Sequence, residues 1–390
     1  MLLVHKIQLN PNNKQATYFA RACGVSRFAY NWALNEWSQQ YEAGRKPNEI
    51  ELRKQLNHIK AEQFPWMLEV TKVAPQQAIK NLGQAFNRFF KKQGNYPRFK
   101  KRGIHDSFRA DNGPPKKGEN AVVITGKKVK LPRIGWVRMR EELRFSGQIM
   151  SVTISRRAMR WYAAISVDCD QLPHERKNHG KVGVDLGITV LATLSNGQKY
   201  VGPKAHQVLL KQLRRSSRKL SRREKGSQNY KKAVNELSKR HARVADIRGD
   251  AMHKLTTALT LNYSQIGIED LNVRGMAANR KWSRHIMDQS FYEFRRQLSY
   301  KAKWYGGELI VVDRFFASSK LCSSCGARKS DLTLKDREWT CPCGMLHDRD
   351  VNAAINIEMW MSTVSSTGID ACGAEGADMR TRSSCETMRH

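Results

Sequence analysis

Cys322, Cys325, Cys341 and Cys343 crowd into 22 positions, and seven residues after the last stands Asp350, in the run His347-Asp348-Arg349-Asp350-Val351-Asn352-Ala353-Ala354. The spacing is Cys-x2-Cys, fifteen residues, then Cys-x-Cys, with Gly326 and Gly344 each directly after a second cysteine. Four thiolates so spaced suit one tetrahedral Zn2+, and the glycines provide the tight turns of two knuckles. The second pair has one intervening residue where two are usual, which strains that knuckle and leaves His347 as an alternative ligand. Two further acids close apolar runs upstream, Asp185 in 181–187 and Glu269 in 266–271. Three carboxylates from distant segments are the ligands a hard divalent cation takes. Two Mg2+ ions about 4 Å apart on such ligands can activate water, neutralise charge at phosphorus and stabilise a leaving alkoxide. The expected catalytic and Mg2+-holding residues are therefore Asp185, Glu269 and Asp350, and the chemistry is that of a metal-dependent nuclease.

Any one of these acids alone reads as a cap or a surface charge; their conjunction in a basic chain carries the reading. Asp348 and Asp350 lie two apart, so on a helix only one faces a site. Asp348 fits an N-cap or an outer acid, and Asp350 heads a helix whose small residues permit close packing on a sheet. Asn352 reads as a helix-start polar contact. Asp270, Asp313 and His347 are lesser candidates, expected to be structural.

The chain has 69 Lys plus Arg against 35 Asp plus Glu, a net charge of +34. Solubility needs only about 2 to 8 charges in a small domain, so the partner is a polyanion, and nucleic acid is the natural one. At 390 residues the chain exceeds the ~250 to 300 at which one core stops growing, which predicts two or more domains. No run of 18 apolar residues occurs and the N-terminus meets a cation early, so a cytoplasmic, nucleoid-associated protein with no membrane partner is expected. In a reducing compartment the clustered cysteines favour metal over disulfides. Cys23 and Cys169 read as packing thiols.

A first strand is expected over Leu3 to Leu9, then two consecutive helices divided near Gly24 and Ser26, and further helices over Glu49 to Gln63 and Pro75 to Lys92. The loop Tyr96-Pro97-Arg98-Phe99-Lys100-Lys101-Arg102 mixes aromatics with cations, a pattern for phosphate and base-stacking contacts. Short apolar runs between Ser107 and Val167 predict antiparallel strands in a small barrel or sheet. From Lys181 a strand ends in Asp185, a second strand covers 188–194 and a hairpin turns at Asn196-Gly197, a meander suggestive of an RNase H-like fold. Residues 209–259 read as helical, and 13 Lys or Arg face 2 acids between Lys211 and Arg243. That density favours contact with nucleic acid, through Arg214, Arg218 and Arg222 among others.

With Arg27-Phe28-Ala29-Tyr30-Asn31-Trp32-Ala33-Leu34, Tyr96-Pro97-Arg98-Phe99-Lys100, Gly183-Val184-Asp185-Leu186-Gly187, Ile268-Glu269-Asp270-Leu271 and the cysteine cluster running into His347–Ala354, the chain resembles the TnpB family. These are transposon-encoded RNA-guided endonucleases of the OrfB type, ancestral to type V CRISPR effectors. The resemblance implies a multidomain α+β protein: a helical recognition lobe (11–103) inserted in an OB-like wedge barrel (1–10 and 104–175), then an RNase H-like, RuvC-type nuclease domain (179–316 and 347–362, with the basic helices at 205–260). A zinc knuckle at 317–346 is inserted, and a disordered tail covers 363–390. It implies Arg27, Tyr30 and Asn31 as nucleic-acid contacts, and two Mg2+, one structural Zn2+ and a guide (omega) RNA as cofactors. One protein copy per RNA would bind double-stranded DNA beside a transposon-adjacent motif, base pairing reading the rest of the target. A nuclease-dead repressor and a transposase acting without guide RNA are the competing readings.

Overall fold

The computed structural model describes residues 1–112, 121–169, 180–333 and 335–366. The expected tail is helical over its first four residues, 363–366, which end the last helix of the chain; the rest of it and most of the expected linker at 168–180 lie outside the described residues. The chain divides into two compact units, Met1–Pro173 with Ser216–Ala242, and His174–Arg215 with Arg243–His390.

In the first unit β1 (Leu2–Asn10) buries Leu3, His5, Ile7 and Leu9 and exposes Leu2 and Val4, the period of two expected of a sheet with one covered face. Three helices follow, α1 (Asn13–Glu42), α2 (Glu49–Gln63) and α3 (Val73–Phe90), then β2 (Ser107–Asp111), β3 (Val123–Thr125), β4 (Lys128–Leu131), β5 (Gly135–Met139), β6 (Gln148–Arg157) and β7 (Arg160–Asp168). The strands form one antiparallel sheet in the order β2-β6-β7-β1-β5-β4-β3. Because β1 pairs with β7 from Leu2↔Asp168 to Leu9↔Trp161, the helices enter the sheet's sequence as an insertion.

α1 corrects the expected pair of helices. Asn12 and Gln15 cap its start reciprocally, and the helix then continues through Gly24. Ala22, Cys23, Val25, Ser26 and Ala29 are all buried on either side of that glycine, and this packing outweighs the ~1 kcal/mol that glycine costs a helix. Phe19 anchors α1 on the sheet, its ring 5.3 Å from Trp161 and 5.9 Å from Phe108.

The second unit holds β8 (Gly180–Asp185), β9 (Ala192–Leu194), β10 (Lys199–Tyr200), parts of α4 (Ala205–Ser221) and α5 (Gln228–Asn262), β11 (Tyr263–Glu269), α6 (Val273–Ala278), α7 (Ser283–Gln289), α8 (Phe291–Trp304) and β12 (Glu308–Val312). The small ladder of β13 (Glu338–Thr340) and β14 (Leu346–Asp348) follows, then α9 (Arg349–Ser366). Its five strands run β10-β9-β8-β11-β12, with β9 antiparallel to both neighbours and β8, β11 and β12 mutually parallel. The strand expected over 188–194 shrinks to Ala192–Leu194, and ahead of it the Ile188 carbonyl accepts from Gln289 Nε2 instead of from a neighbouring strand.

α9 packs against β8 and β11, where Gly183 and Gly267 face each other in register. A Cβ on Gly183 would fall well inside contact with the Ala354 carbonyl oxygen, and one on Gly267 would sit 2.6 Å from Met361 Sδ. Gly183 thus lets the backbones of β8 and α9 touch at Ala354, while Gly267 leaves room for the Ile357 and Met361 side chains of α9. That contact sets α9, and with it Asp350, relative to the ends of β8 and β11.

Candidate active site and cysteine cluster

Asp185 ends β8 and Glu269 ends β11. Val184 pairs with Ile268, so the two acids are the next residues on adjacent parallel strands and leave the same edge of the sheet. Asp350 reaches this edge from the first turn of α9. Burial, then the charges of Glu269 and Asp350, push the Asp185 carboxyl well above its ordinary value, with Arg349 opposing. The three acids therefore converge closely enough to repel. Burial also raises Glu269, against a hydrogen bond that its Oε1 accepts from Ser318 Oγ. Asp350 has only long ion pairs, 3.5 Å to Arg349 and 3.7 Å to Arg337. A half-buried, all-oxygen set that crowds negative charge on Asp185 is one that a hard divalent cation would relieve.

Asp348 is the cap of α9: its Oδ1 accepts from the N–H groups of Asp350 and Val351 at 3.1 and 3.0 Å, and its Oδ2 takes Lys199 Nζ at 2.6 Å. The cap turns Asp350, and not Asp348, inward. Asp270 is held by two arginines, Arg295 and Arg314, and Asp313 accepts from the Phe315 N–H.

The four cysteines bring their sulfur atoms within 4.8 Å of one another, in the one such cluster of His, Cys, Asp or Glu among the described residues. Cys322 and Cys343 sulfurs are 3.7 Å apart and those of Cys325 and Cys341 3.6 Å. A tetrahedron with Zn–S bonds of about 2.3 Å has edges of about 3.8 Å, so the short Cys341-Pro342-Cys343 step still closes a tetrathiolate of the right size. Gly326 and Gly344 have φ of +75° and +89°, the turns the two knuckles need. His347 lies outside the four: its Nε2 is 3.0 Å from Cys322 Sγ, and its ring packs 4.7 Å from Trp339. Although burial opposes ionisation, the N–H groups of Cys325 and Ser324, with His347, bring the Cys322 thiol down to about 5. Cys23, by contrast, is pushed up to about 12 by burial, as an inert packing thiol is, and Cys169 is buried.

Two residues that join the clusters were only partly legible. Asn352, buried, accepts from the Ser323 N–H and donates to the Leu321 carbonyl; Asn356, one turn on, donates to the carbonyls of Ser318 and Leu321. The helix that carries Asp350 is thereby tied to the strand of chain entering the first knuckle. Asn352 was expected as a simple helix-start contact; its spacing of four from Asn356 is the signal that both amides serve one face. Ser318, which donates to Glu269, carries no sequence signal at all.

A cavity of about 680 Å3 opens on the site, lined among others by Glu269, Asp313, Arg314, Lys320, Arg328 and Arg349. The residues expected to touch nucleic acid divide in two. Arg27 pairs with Asp106 at 2.7 Å, Tyr30 is buried beneath Lys100 Nζ at 4.0 Å, and Asn31 exchanges hydrogen bonds with the Lys100 backbone. Tyr30 and Asn31 brace the 96–102 loop on α1 through Lys100, and Arg27 ties down Asp106 just beyond it. Tyr96 rests edge-on against Phe86 and Phe89. Arg98, Phe99, Lys101 and Arg102 are exposed, as are Arg214, Arg218 and Arg222 along and just beyond α4. Among the described residues, no helix is long and apolar enough to cross a membrane.

Three family models match the chain: that described as Cas12f1-like, TNB domain, over residues 291–357, that described as Probable transposase over 164–280, and that of a Helix-turn-helix domain over 1–46. A Streptomyces pristinaespiralis protein carrying the name RNA-guided DNA endonuclease is 37% identical over 94% of this chain and 90% of its own length. InsQ of Escherichia coli, similarly named, is 34% identical over 91% of both. A CRISPR-associated endodeoxyribonuclease, Cas12f1 of Sulfoacidibacillus thermotolerans, is 24% identical over 52% of this chain and 50% of its own. The fold is shared with the protein of a Cas12f1-sgRNA-target DNA complex, at a TM-score of 0.56 and 14% identity, covering 89% of this chain and 83% of that one. Such identity, sustained over nearly the whole of both chains, means that this chain belongs to the TnpB family of insertion-sequence proteins, the OrfB type.

Proposed function

We propose that the chain is an RNA-guided DNA endonuclease that hydrolyses phosphodiester bonds at the edge of the five-stranded sheet. The observation that carries this is the placing of Asp185, Glu269 and Asp350 at one edge of the sheet, where burial and then the other two charges raise Asp185, in a chain of charge +34. The relatives' names and the shared fold support it. Their partners, a guide RNA and a target DNA, are assigned to this chain on the same grounds, with one protein copy per RNA, in a prokaryotic cytoplasm.

The strand order β10-β9-β8-β11-β12, with β9 antiparallel, supports an RNase H-like, RuvC-type domain; the sheet carrying helices between β1 and β2 supports a wedge with an inserted recognition lobe. Two Mg2+ ions held by the three carboxylates would supply Lewis acidity and charge neutralisation at the scissile phosphate. Ser318 fixes one oxygen of Glu269 and leaves the other available. Arg314, Lys320 and Arg328, in the wall of the larger cavity, attract and orient phosphate without choosing sequence. One Zn2+ on Cys322, Cys325, Cys341 and Cys343 would fold the knuckle and take no part in cutting. Exposed Arg98, Phe99, Lys101, Arg102, Arg214, Arg218 and Arg222 are the proposed backbone contacts, while guide pairing and a short motif beside the target select the site.

Reconstitution with RNA transcribed from the element's right end and a matched plasmid library tests this: the parent should cut in Mg2+, and Asp185→Ala should reduce the rate about a thousandfold or more. Persistent cutting by Asp185→Ala would sink the site assignment. Binding without cutting would favour the repressor reading, against which stands the presence of all three acids.

A further inference from the structure

A second, smaller cavity of about 200 Å3 lies against the same carboxylate. Glu269 and Arg314 belong to the walls of both cavities, so a strand crossing Glu269 has space on either side of it. The smaller space is walled by Arg274, Tyr292, Arg295 and Arg314 and has room for about one nucleoside. Tyr292, in the first turn of α8, is 73% exposed, an aromatic face with solvent where its neighbour Phe291 is buried in the core.

The arginines are not loose. Arg314 donates from Nη2 to Asp270 Oδ2 at 2.5 Å and from Nε to the Asp270 carbonyl at 3.3 Å, and Arg295 Nη1 donates to Asp270 Oδ1 at 2.6 Å. Asp270 adjoins Glu269, so the clamp fixes both arginines beside the metal-type acids and leaves Arg314 Nη1 for another anion. A preset guanidinium loses less freedom on meeting a phosphate than a mobile one does.

We propose that this smaller cavity is a nucleotide subsite flanking the scissile phosphate. Tyr292 stacks on the base, and Arg314, positioned by Asp270, holds the adjoining phosphate at the wall shared with the larger cavity. The subsite rests on the nuclease reading of Asp185, Glu269 and Asp350 and adds to it which residues seat the neighbouring nucleotide. Every base offers a π face, so the contact is indifferent to sequence, as a guide-directed enzyme requires.

The test uses the complete complex with guide RNA and Mg2+ in single-turnover cutting. Tyr292→Ala should cut about tenfold to a hundredfold more slowly, the size of one lost base stack. Tyr292→Phe should stay within about twofold, since stacking needs the ring and not the hydroxyl, and Arg314→Ala should slow cutting without weakening target binding in gel shift. An abasic residue walked along the target should slow the parent at one position as Tyr292→Ala does, and leave Tyr292→Ala itself unchanged there. In an Asp185→Ala complex, 2-aminopurine at that position should be quenched, and released from quenching by Tyr292→Ala, a readout that needs no cutting. Parental rates for Tyr292→Ala, or penalties that add at every position, overturn the subsite and leave the nuclease standing. A parent that does not cut overturns both.

Discussion

The acid cluster and the cysteine cluster meet at α9, whose first turn carries Asp350 seven residues after Cys343, and they stand on different kinds of support. The acids stand at the ends of buried strands and on a helix, rigid supports that hold like charges together; their repulsion and burial keep Asp185 well above its ordinary value. The cysteines stand on turns; N–H groups and His347 favour the thiolate of Cys322, while, against backbone N–H groups, the neighbouring thiols raise Cys325, and burial with the neighbouring thiols brings Cys341 up to about 12. Both sites crowd groups that a cation would let ionise together, one on rigid strand ends and a helix, the other on turns that a metal would fold. α9 joins them, capped by Asp348 and tied to the knuckle by Asn352 and Asn356.

The sharpest way to break the contrast is to take the zinc away. Cys341→Ser should lose one equivalent of zinc by elemental analysis and unfold the knuckle, where a structural Zn2+ contributes on the order of 10 kcal/mol; protection from hydrogen exchange should vanish over 321–348 while the five-stranded sheet keeps its own. A variant that kept its zinc would reinstate His347 as a ligand. Gly183→Ala comes next. Its Cβ would press on the Ala354 backbone, so α9 must lift, with a loss of about 3 kcal/mol or more and a matching loss of cutting. Gly267→Ala meets the ends of the flexible Met361 and Ile357 side chains and should be milder by denaturant titration. Equal effects would mean that helix position does not matter to the acids.

Asn356→Ala leaves the Ser318 carbonyl without this donor, a change of about 1 to 3 kcal/mol. It should slow cutting more than it lowers stability, because the segment it ties down also carries the Ser318 hydroxyl on Glu269. The smallest effect is the most diagnostic. Asp185 binds its proton more tightly folded than unfolded, so without Mg2+ stability falls as pH rises above about 3.8. Asp185→Asn, neutral throughout, should flatten that fall and raise the melting temperature near pH 7 by about 2 to 4 °C, the equivalent of about 1 kcal/mol, while abolishing cutting. Added Mg2+ should stabilise the parent and not the variant.

Much of this was legible in single segments. Asp185 and Glu269 close apolar runs, and a strand end is where a buried run must stop; the four thiols and their glycines announce a knuckle by spacing alone. The helix break expected near Gly24 failed because a glycine's local preference is weaker than the packing of Ala22, Val25 and Ala29 around it. Arg27, Tyr30 and Asn31, implied as nucleic-acid contacts by the resemblance, and Lys100, by its loop, also have partners within the protein: Arg27 holds Asp106, and Tyr30 and Asn31 hold Lys100. Cation and aromatic chemistry serves a brace as well as a ligand, and only the partner's position separates the two.

By itself, then, the sequence determined the ligand types, the zinc spacing, the basic charge and the order of strands and helices, because each is local or additive along the chain. Tertiary structure alone decided that β8 and β11 lie parallel and in register, that two glycines let α9 touch them, and that Asp348 caps while Asp350 points inward. It also decided that Asp270, one residue from Glu269, is bound by two arginines. Neighbouring carboxylates look alike in a sequence; what separates them is the field and the backbone geometry that distant segments impose.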